Sequence, residues 1–342
     1  MNQLPLPPDR RNHPTALEDC PDPVSALLTA HCAGRLISVR TSGSTGYPRR
    51  VIRTASSWVD SFPIVAKLTA LQPDSRAWTP GPFTATMNLY AAALVRYVGA
   101  RVVPEVGSAT HAFLTPAGLT DLLGQTGPSD LSIVVAGDRL RPDLADRAEQ
   151  RGWQVSHYYG AAQLSFVAWG RDAASLRAFP RVHIQVRGGE LWASSPWLCE
   201  REVAPPGGLP SMTVELDPDT GSRWASVGDR GELAADGRVL IAGRPDAVVV
   251  GGGTVLISEV EAALRDVTSG EVYVVASPHD RLGLVVTAVY TNPADRARLR
   301  SHARTVLDRQ RRPVRWLQAS SLPTTAAGKV DRSALAILAR KH

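Results

Sequence analysis

Between residues 36 and 223 short apolar runs keep alternating with amphipathic stretches of helical period, and this rhythm limits the fold more than any other property of the chain. Residues 100–103 and 132–135 are apolar-rich runs of strand length and 154–156 reads as a further short strand around Val155, whereas 140–151 spaces its apolar residues for one face of a helix. Strands that alternate with helices along a chain pair as parallel neighbours, so the pattern predicts an α/β core with a mostly parallel sheet. Residues 189–193 and 238–241 then read as strands of a smaller β-rich region. After Gly243 the order becomes strand, helix (257–265), two strands (272–276 and 284–290), helix (293–309) and a basic tail helix. That is a compact α+β unit of about a hundred residues, a size at which a small domain folds. The predicted division is a proline-rich lead-in over 1–35 with one amphipathic helix at 23–32, a core over 36–243, and a small C-terminal domain over 244–342.

Composition removes several function classes. With 44% hydrophobic and 20% charged residues, the chain has the balance of an ordinary globular protein. No apolar run approaches the ~18 residues of a membrane helix. The first residues lack the basic-then-apolar order of a signal peptide, so a cytoplasmic protein without a membrane partner is expected. Cys20, Cys32 and Cys199 are too few and too scattered for a disulfide framework or a thiolate metal site. The net charge of +6 is spread along the chain and is not stacked with aromatics in a compact segment, so no nucleic-acid partner is expected, and anionic small ligands explain the charge equally well.

The loop after the apolar run 36–39 reads Thr41, Ser42, Gly43, Ser44, Thr45, Gly46, Tyr47, Pro48, Arg49, Arg50. Glycines let backbone N–H groups close around an anion, and the hydroxyls and arginines add donors and charge, so this loop is suited to phosphate. It is not a Walker A loop, because no Lys-Ser or Lys-Thr pair follows the second glycine. Four further motifs follow in order: Tyr158-Tyr159-Gly160-Ala161-Ala162-Gln163, Val227-Gly228-Asp229, Gly243-Arg244-Pro245-Asp246, and Leu322-Pro323-Thr324-Thr325-Ala326-Ala327-Gly328-Lys329.

Taken together, from about Leu36 to Leu335, these motifs resemble the acyl-adenylate-forming (AMP-binding) superfamily, in particular short acyl-CoA synthetases of the o-succinylbenzoate-CoA ligase kind. The resemblance implies a truncated form of the family's N-terminal core followed by a mobile C-terminal domain. It implies ATP, Mg²⁺ and CoA as cofactors, and a small carboxylic acid as substrate. By resemblance, the nucleotide is bound by the loop from Thr41 to Gly46 with Arg49, by Gly137 and Asp138, by Tyr159, Gly160 and Ala161 around the adenine, and by Asp229 and Arg244 at the ribose. Asp246 falls at the family's hinge, and Gly251, Gly252 and Gly253 fall where its second-step loop approaches the pantetheine. Phe83, Met87 and Tyr158 would line the acyl pocket.

Three positions depart from the family pattern, the first of them mildly: Arg49 stands where the family usually has lysine and keeps the charge. The family's threonine and its metal-binding glutamate are replaced by Ala162 and Gln163, and Gln163 keeps only a neutral amide oxygen for Mg²⁺. If that oxygen coordinates the metal, Gln163→Glu should lower the Mg²⁺ requirement; if Gln163 faces elsewhere, the substitution should change little. Lys329 is the expected catalytic residue. Of the 38 Lys and Arg, only Lys67, Lys329 and Lys341 are lysine, and a lysine kept in such a chain, within Gly-Lys-x-x-Arg, points to a need for a compact charge on a flexible stem. The expected activity is an acid-thiol ligase that forms an acyl-AMP and passes the acyl group to CoA. Delivery to a separate carrier protein or an amine, a degenerate nucleotide-binding protein without catalysis, and homo-oligomerisation all remain open at this level.

Overall fold

A computed structural model describes residues 13–40, 49–203, 211–243, 247–250, 253–279, 283–309, 311–326 and 328–340. The phosphate loop from Thr41 to Gly46, together with Arg244, Asp246, Gly251 and Gly252, lies outside them. The alternating segment folds around a seven-stranded sheet ordered Arg177–Ala178, Ser165–Gly170, Gln154–Ala161, Ser132–Val135, His111–Leu114, Arg76–Trp78 and Arg101–Val103. The last five of these run parallel, and the first two close the sheet antiparallel. Helices Thr86–Val98, Pro116–Leu123 and Pro142–Glu149 connect successive parallel strands. Every residue of the strand His111–Leu114 is buried, as expected where helices cover both faces.

Helix boundaries follow local chemistry. Thr115 caps Pro116–Leu123 by accepting from the Gly118 N–H at 3.1 Å, with proline at the first helical position. Asp22 does the same for Pro23–Cys32, which has the predicted bounds. The helix expected over 140–151 is shorter: it starts at Pro142, and Gly152, at φ +84°, turns the chain away behind it.

The mostly parallel sheet is only part of the core. A four-stranded sheet joins Thr15–Ala16, Leu36–Arg40, Arg50–Thr54 and Arg201–Val203, with Arg40 opposite Arg50. A six-stranded sheet, antiparallel throughout, joins His183–Arg187 and Val239–Gly243 to the strands between them other than Arg201–Val203. The C-terminal part has an antiparallel pair, Val272–His279 and Gly283–Tyr290, extended by Arg315–Gln318 parallel to the second strand. Helices Ile257–Arg265, Arg296–Val306 and Arg332–Leu338 accompany this sheet. Two apolar clusters drawn wholly from residues beyond 247 give the unit a core of its own.

Candidate active site

A cavity of about 420 Å³ opens where the C-terminal edge of the parallel sheet, the six-stranded sheet and the C-terminal unit meet. Of the residues expected from sequence, Arg49, Gly137, Asp138, Tyr158, Tyr159, Gly160, Ala161, Gln163, Asp229 and Lys329 line it. Segments separated by up to 280 residues in the chain thus converge on one concave surface of the size small ligands occupy.

Lys329 reaches the cavity from a tight turn in the C-terminal unit. Thr324 bridges Val330, the Thr325 N–H donates to the Lys329 carbonyl at 2.7 Å, and the Thr325 hydroxyl accepts from the Lys329 N–H at 3.3 Å. The turn is tied to the core by the Thr115 hydroxyl, which donates to the Gly328 carbonyl at 2.9 Å. Gly137 makes the approach possible: its φ is +92°, and a Cβ there would lie 2.9 Å from Lys329 Cε. Only glycine accepts both the left-handed backbone and the close lysine.

Tyr159 and Asp229 come together from two sheets, the tyrosine hydroxyl donating to Asp229 Oδ2 at 2.7 Å. The strand carrying Tyr159 is bulged beside Gly160, where a Cβ would sit 2.1 Å from the Ser165 carbonyl oxygen. The bulge turns the end of this strand toward the cavity.

Asp138 faces the C-terminal unit. It accepts from the Tyr273 hydroxyl at 2.8 Å and from the Arg139 N–H at 2.7 Å. Burial pushes its carboxyl up, but Arg265, the Arg139 N–H, Tyr273 and Arg332 together hold it below the usual carboxylate range. Burial and the Asp138 charge push the Tyr273 phenol well above its ordinary value. Arg332, the last residue of the Gly-Lys-x-x-Arg pattern, forks onto Glu261 at 2.8 and 2.9 Å.

At the opposite wall, Gln163 is 5% exposed. Its Nε2 donates to Glu202 Oε2 at 3.0 Å and to Ser211 Oγ at 3.2 Å. Glu202 also accepts from the Ser211 hydroxyl at 2.8 Å and N–H at 3.1 Å, and pairs with Arg49 Nε at 3.0 Å. Among the described residues no group of three or more His, Cys, Asp and Glu side chains is arranged for a metal. A magnesium ion needs fewer protein ligands, usually one or two carboxylates together with substrate phosphates. This wall does not match that donor set: Glu202 is paired with Arg49 and accepts from Ser211 and the Gln163 amide, which leaves one neutral amide oxygen.

Tyr158 lines the cavity but also stacks on Trp169 at 5.8 Å between centroids and packs against Phe166. Burial drives its phenol far up, so it stays a neutral, largely apolar wall. Phe83 packs partly buried against the main apolar core, and neither it nor Met87 lines the cavity; Thr86 does. Glu202, Ser211, Glu261 and Tyr273 were not singled out by sequence reasoning. A signal for Glu202 existed only in the pairing of Arg201–Val203 with Arg50–Thr54, which sets Glu202 opposite Val51, near Arg49.

No protein-family profile matches the chain. It is 25% identical over 329 residues to the uncharacterized acyl-CoA ligase YhfT of Bacillus subtilis, covering 86% of this chain and 66% of that protein. It is 27% identical over 329 residues to the 2-succinylbenzoate-CoA ligase of Salmonella typhimurium, covering 91% and 70%. The chain thus spans about two thirds of the length of these curated relatives. Among solved structures it matches an arginine-to-lysine variant of E. coli MenE with bound OSB-AMS, at a TM-score of 0.74 and 23% identity over 90% of this chain and 70% of that one. The chain has the fold of the acyl-adenylate-forming superfamily and resembles its acyl-CoA ligases in sequence. Among the described residues no helix is long and apolar enough to cross a membrane.

Proposed function

We propose that this chain activates a carboxylic acid with ATP and transfers the acyl group to the thiol of CoA. One observation supports this above the others: Lys329, on its turn from the C-terminal unit, enters the same cavity as Asp229, Tyr159 and Gln163. In the first step a carboxylate oxygen attacks the α-phosphorus, a P–O bond forms, and pyrophosphate leaves. In the second the thiolate attacks the acyl carbonyl, the C–S bond forms, and AMP leaves.

The residue roles follow from charge and reach. Asp229 takes the ribose hydroxyls, because a carboxylate offers two acceptor oxygens to a vicinal diol. The Tyr159 ring stands beside Asp229 and flanks the base. Lys329 neutralises charge building between the carboxylate and the α-phosphate, a contribution worth most in a site that excludes water. Arg49 meets the phosphates at the end of the loop from Thr41 to Gly46. The division at 243/244, with Asp246 as the hinge, is part of the same proposal: the C-terminal unit rotates between the steps and withdraws Lys329.

A screen of pyrophosphate release and hydroxamate capture over a panel of carboxylic acids tests the activity. Lys329→Ala should abolish acyl-AMP formation and leave thioester formation from supplied acyl-AMP largely intact. Equal loss of both half-reactions would remove the lysine from the first step. Turnover with a phosphopantetheinylated carrier in place of CoA would reassign the acceptor.

A further inference from the structure

The wall that carries Gln163 turns a cation toward the cavity and keeps its acid out of reach. Arg49, Gln163 and Ser211 line the cavity, whereas Glu202, with a side chain 1% exposed, does not. We propose that Arg49, clamped by Glu202, is the resident cation of this corner and takes the place of a divalent ion there, so that the corner receives phosphate oxygens free of metal. The inference rests on the nucleotide-ligase reading above.

A count of donors and acceptors supports it. Glu202 Oε2 accepts from Gln163 Nε2 at 3.0 Å and from the Ser211 hydroxyl at 2.8 Å. Oε1 accepts from the Ser211 N–H at 3.1 Å and faces Arg49 Nε at 3.0 Å. A hard dication binds through carboxylate oxygens that reach it, and both oxygens of this carboxylate are committed. The Gln163 NH₂ group is spent on Glu202 and Ser211, which leaves that side chain one neutral oxygen. A metal ion placed there would stand near the guanidinium charge, with a neutral amide to hold it.

The clamp is set by the fold. Arg49 directly precedes the strand Arg50–Thr54, and that strand pairs with Arg201–Val203, with Val203 opposite Arg50 and Glu202 opposite Val51. Both halves of the ion pair therefore belong to neighbouring strands of one sheet, and the cation is fixed before a ligand arrives. The buried carboxylate is balanced by the same contact, because a charge taken out of water needs a partner charge and filled lone pairs. A planar guanidinium also suits phosphate oxygens better than a point charge does.

The two kinds of corner differ in the sign of their preference. One built on an open carboxylate repels a bare polyphosphate and accepts it once a metal ion bridges them. One built on a guanidinium attracts the metal-free nucleotide more, because that form carries more negative charge than its Mg²⁺ complex.

The test measures binding of α,β-methylene-ATP to the full chain by calorimetry, once with a chelator and once with saturating Mg²⁺. The parent should bind the metal-free nucleotide at least as tightly as the Mg²⁺ complex. Arg49→Met keeps an unbranched side chain and removes the charge. It should weaken metal-free binding roughly tenfold to a hundredfold, the loss of a hydrogen bond to a charged group. The Mg²⁺ complex should lose markedly less, because the ion brings its own charge. Should Arg49→Met fold poorly with the Glu202 charge left alone, Arg49→Met combined with Glu202→Gln removes both charges and should show the same reversal of preference. A pair that only holds the fold together would lower both affinities alike, and that result overturns the proposal. So does a parent that binds the Mg²⁺ complex tenfold more tightly than the metal-free nucleotide. Either result leaves the ligase reading standing, whereas a parent that binds neither form overturns both.

Discussion

Asp229 meets the cavity with one carboxylate oxygen already hydrogen-bonded to Tyr159, so the residue is oriented before any nucleotide arrives. Asp229→Ala should weaken ATP binding by about 1.5–3 kcal/mol, the range for hydrogen bonds to a charged acceptor; calorimetry with unchanged affinity would contradict the ribose assignment. Tyr159→Phe keeps the ring and loses only the orienting bond, so its effect should be smaller. Gly137→Ala is a stricter probe of Lys329. It forces a side chain into the left-handed region at a cost of about 1–2 kcal/mol and pushes on Lys329 Cε. Acyl-AMP formation should therefore fall more than thioester formation from supplied acyl-AMP. Residues of this kind were legible in sequence because their chemistry travels with short motifs: Gly-Lys-x-x-Arg for Lys329, Val-Gly-Asp for Asp229. Glu202 was not, since it lies 39 residues beyond Gln163 and only the folded chain brings the two together.

At the scale of elements, Thr115 does two things with one hydroxyl. Its oxygen accepts from the Gly118 N–H at the start of Pro116–Leu123 and its proton goes to the Gly328 carbonyl on the lysine turn. Thr115→Val keeps the shape and removes both bonds. It should lower stability by about 0.5–2 kcal/mol, the measured span for lost caps, and slow adenylation beyond what the stability loss explains. Denaturant unfolding beside pyrophosphate-release rates separates the two effects. Equal rates per folded molecule would mean that the turn is held by its other contacts. Elements with local signals were readable in advance, as in Pro23–Cys32, where periodicity and the Asp22 cap set the bounds, and in Ile257–Arg265, where the periodicity alone did. The strand Arg315–Gln318 was not, because it has no alternating pattern and exists through parallel pairing with Gly283–Tyr290. The helix foreseen over 293–309 begins as a 3₁₀ turn at Pro293–Asp295 and ends at Val306.

For the whole molecule, the question is what holds the C-terminal unit against the core while Lys329 is in place. Besides Thr115 and Gly328, Tyr273 donates to Asp138, and Arg141 donates to the carbonyls of Gly270 and Thr268. If the unit must rotate for thioester formation, these contacts have to break, and a bond to a buried charge is the costliest of them. The folded carboxyl of Asp138 lies below its ordinary value of 3.8. Its contribution is therefore complete above that value and is lost as pH falls through the depressed one. Tyr273 works in the other direction: with its folded value raised above the ordinary 10.0, its contribution is present below pH 10 and declines as pH rises further. Between these limits the contact persists, and docking is not expected to change with pH near neutrality. Tyr273→Phe leaves the ring among Arg265 and Arg332 and removes only the hydroxyl. The docked arrangement should lose about 1.5–3 kcal/mol, so amides of the 325–330 turn should exchange hydrogen faster and acyl-AMP formation should slow. Thioester formation from supplied acyl-AMP should hold or rise, because less must be broken to reach it. A variant that loses both half-reactions alike, with exchange in the turn unchanged, would show that Tyr273 and Asp138 stabilise the fold without governing the position of the lysine.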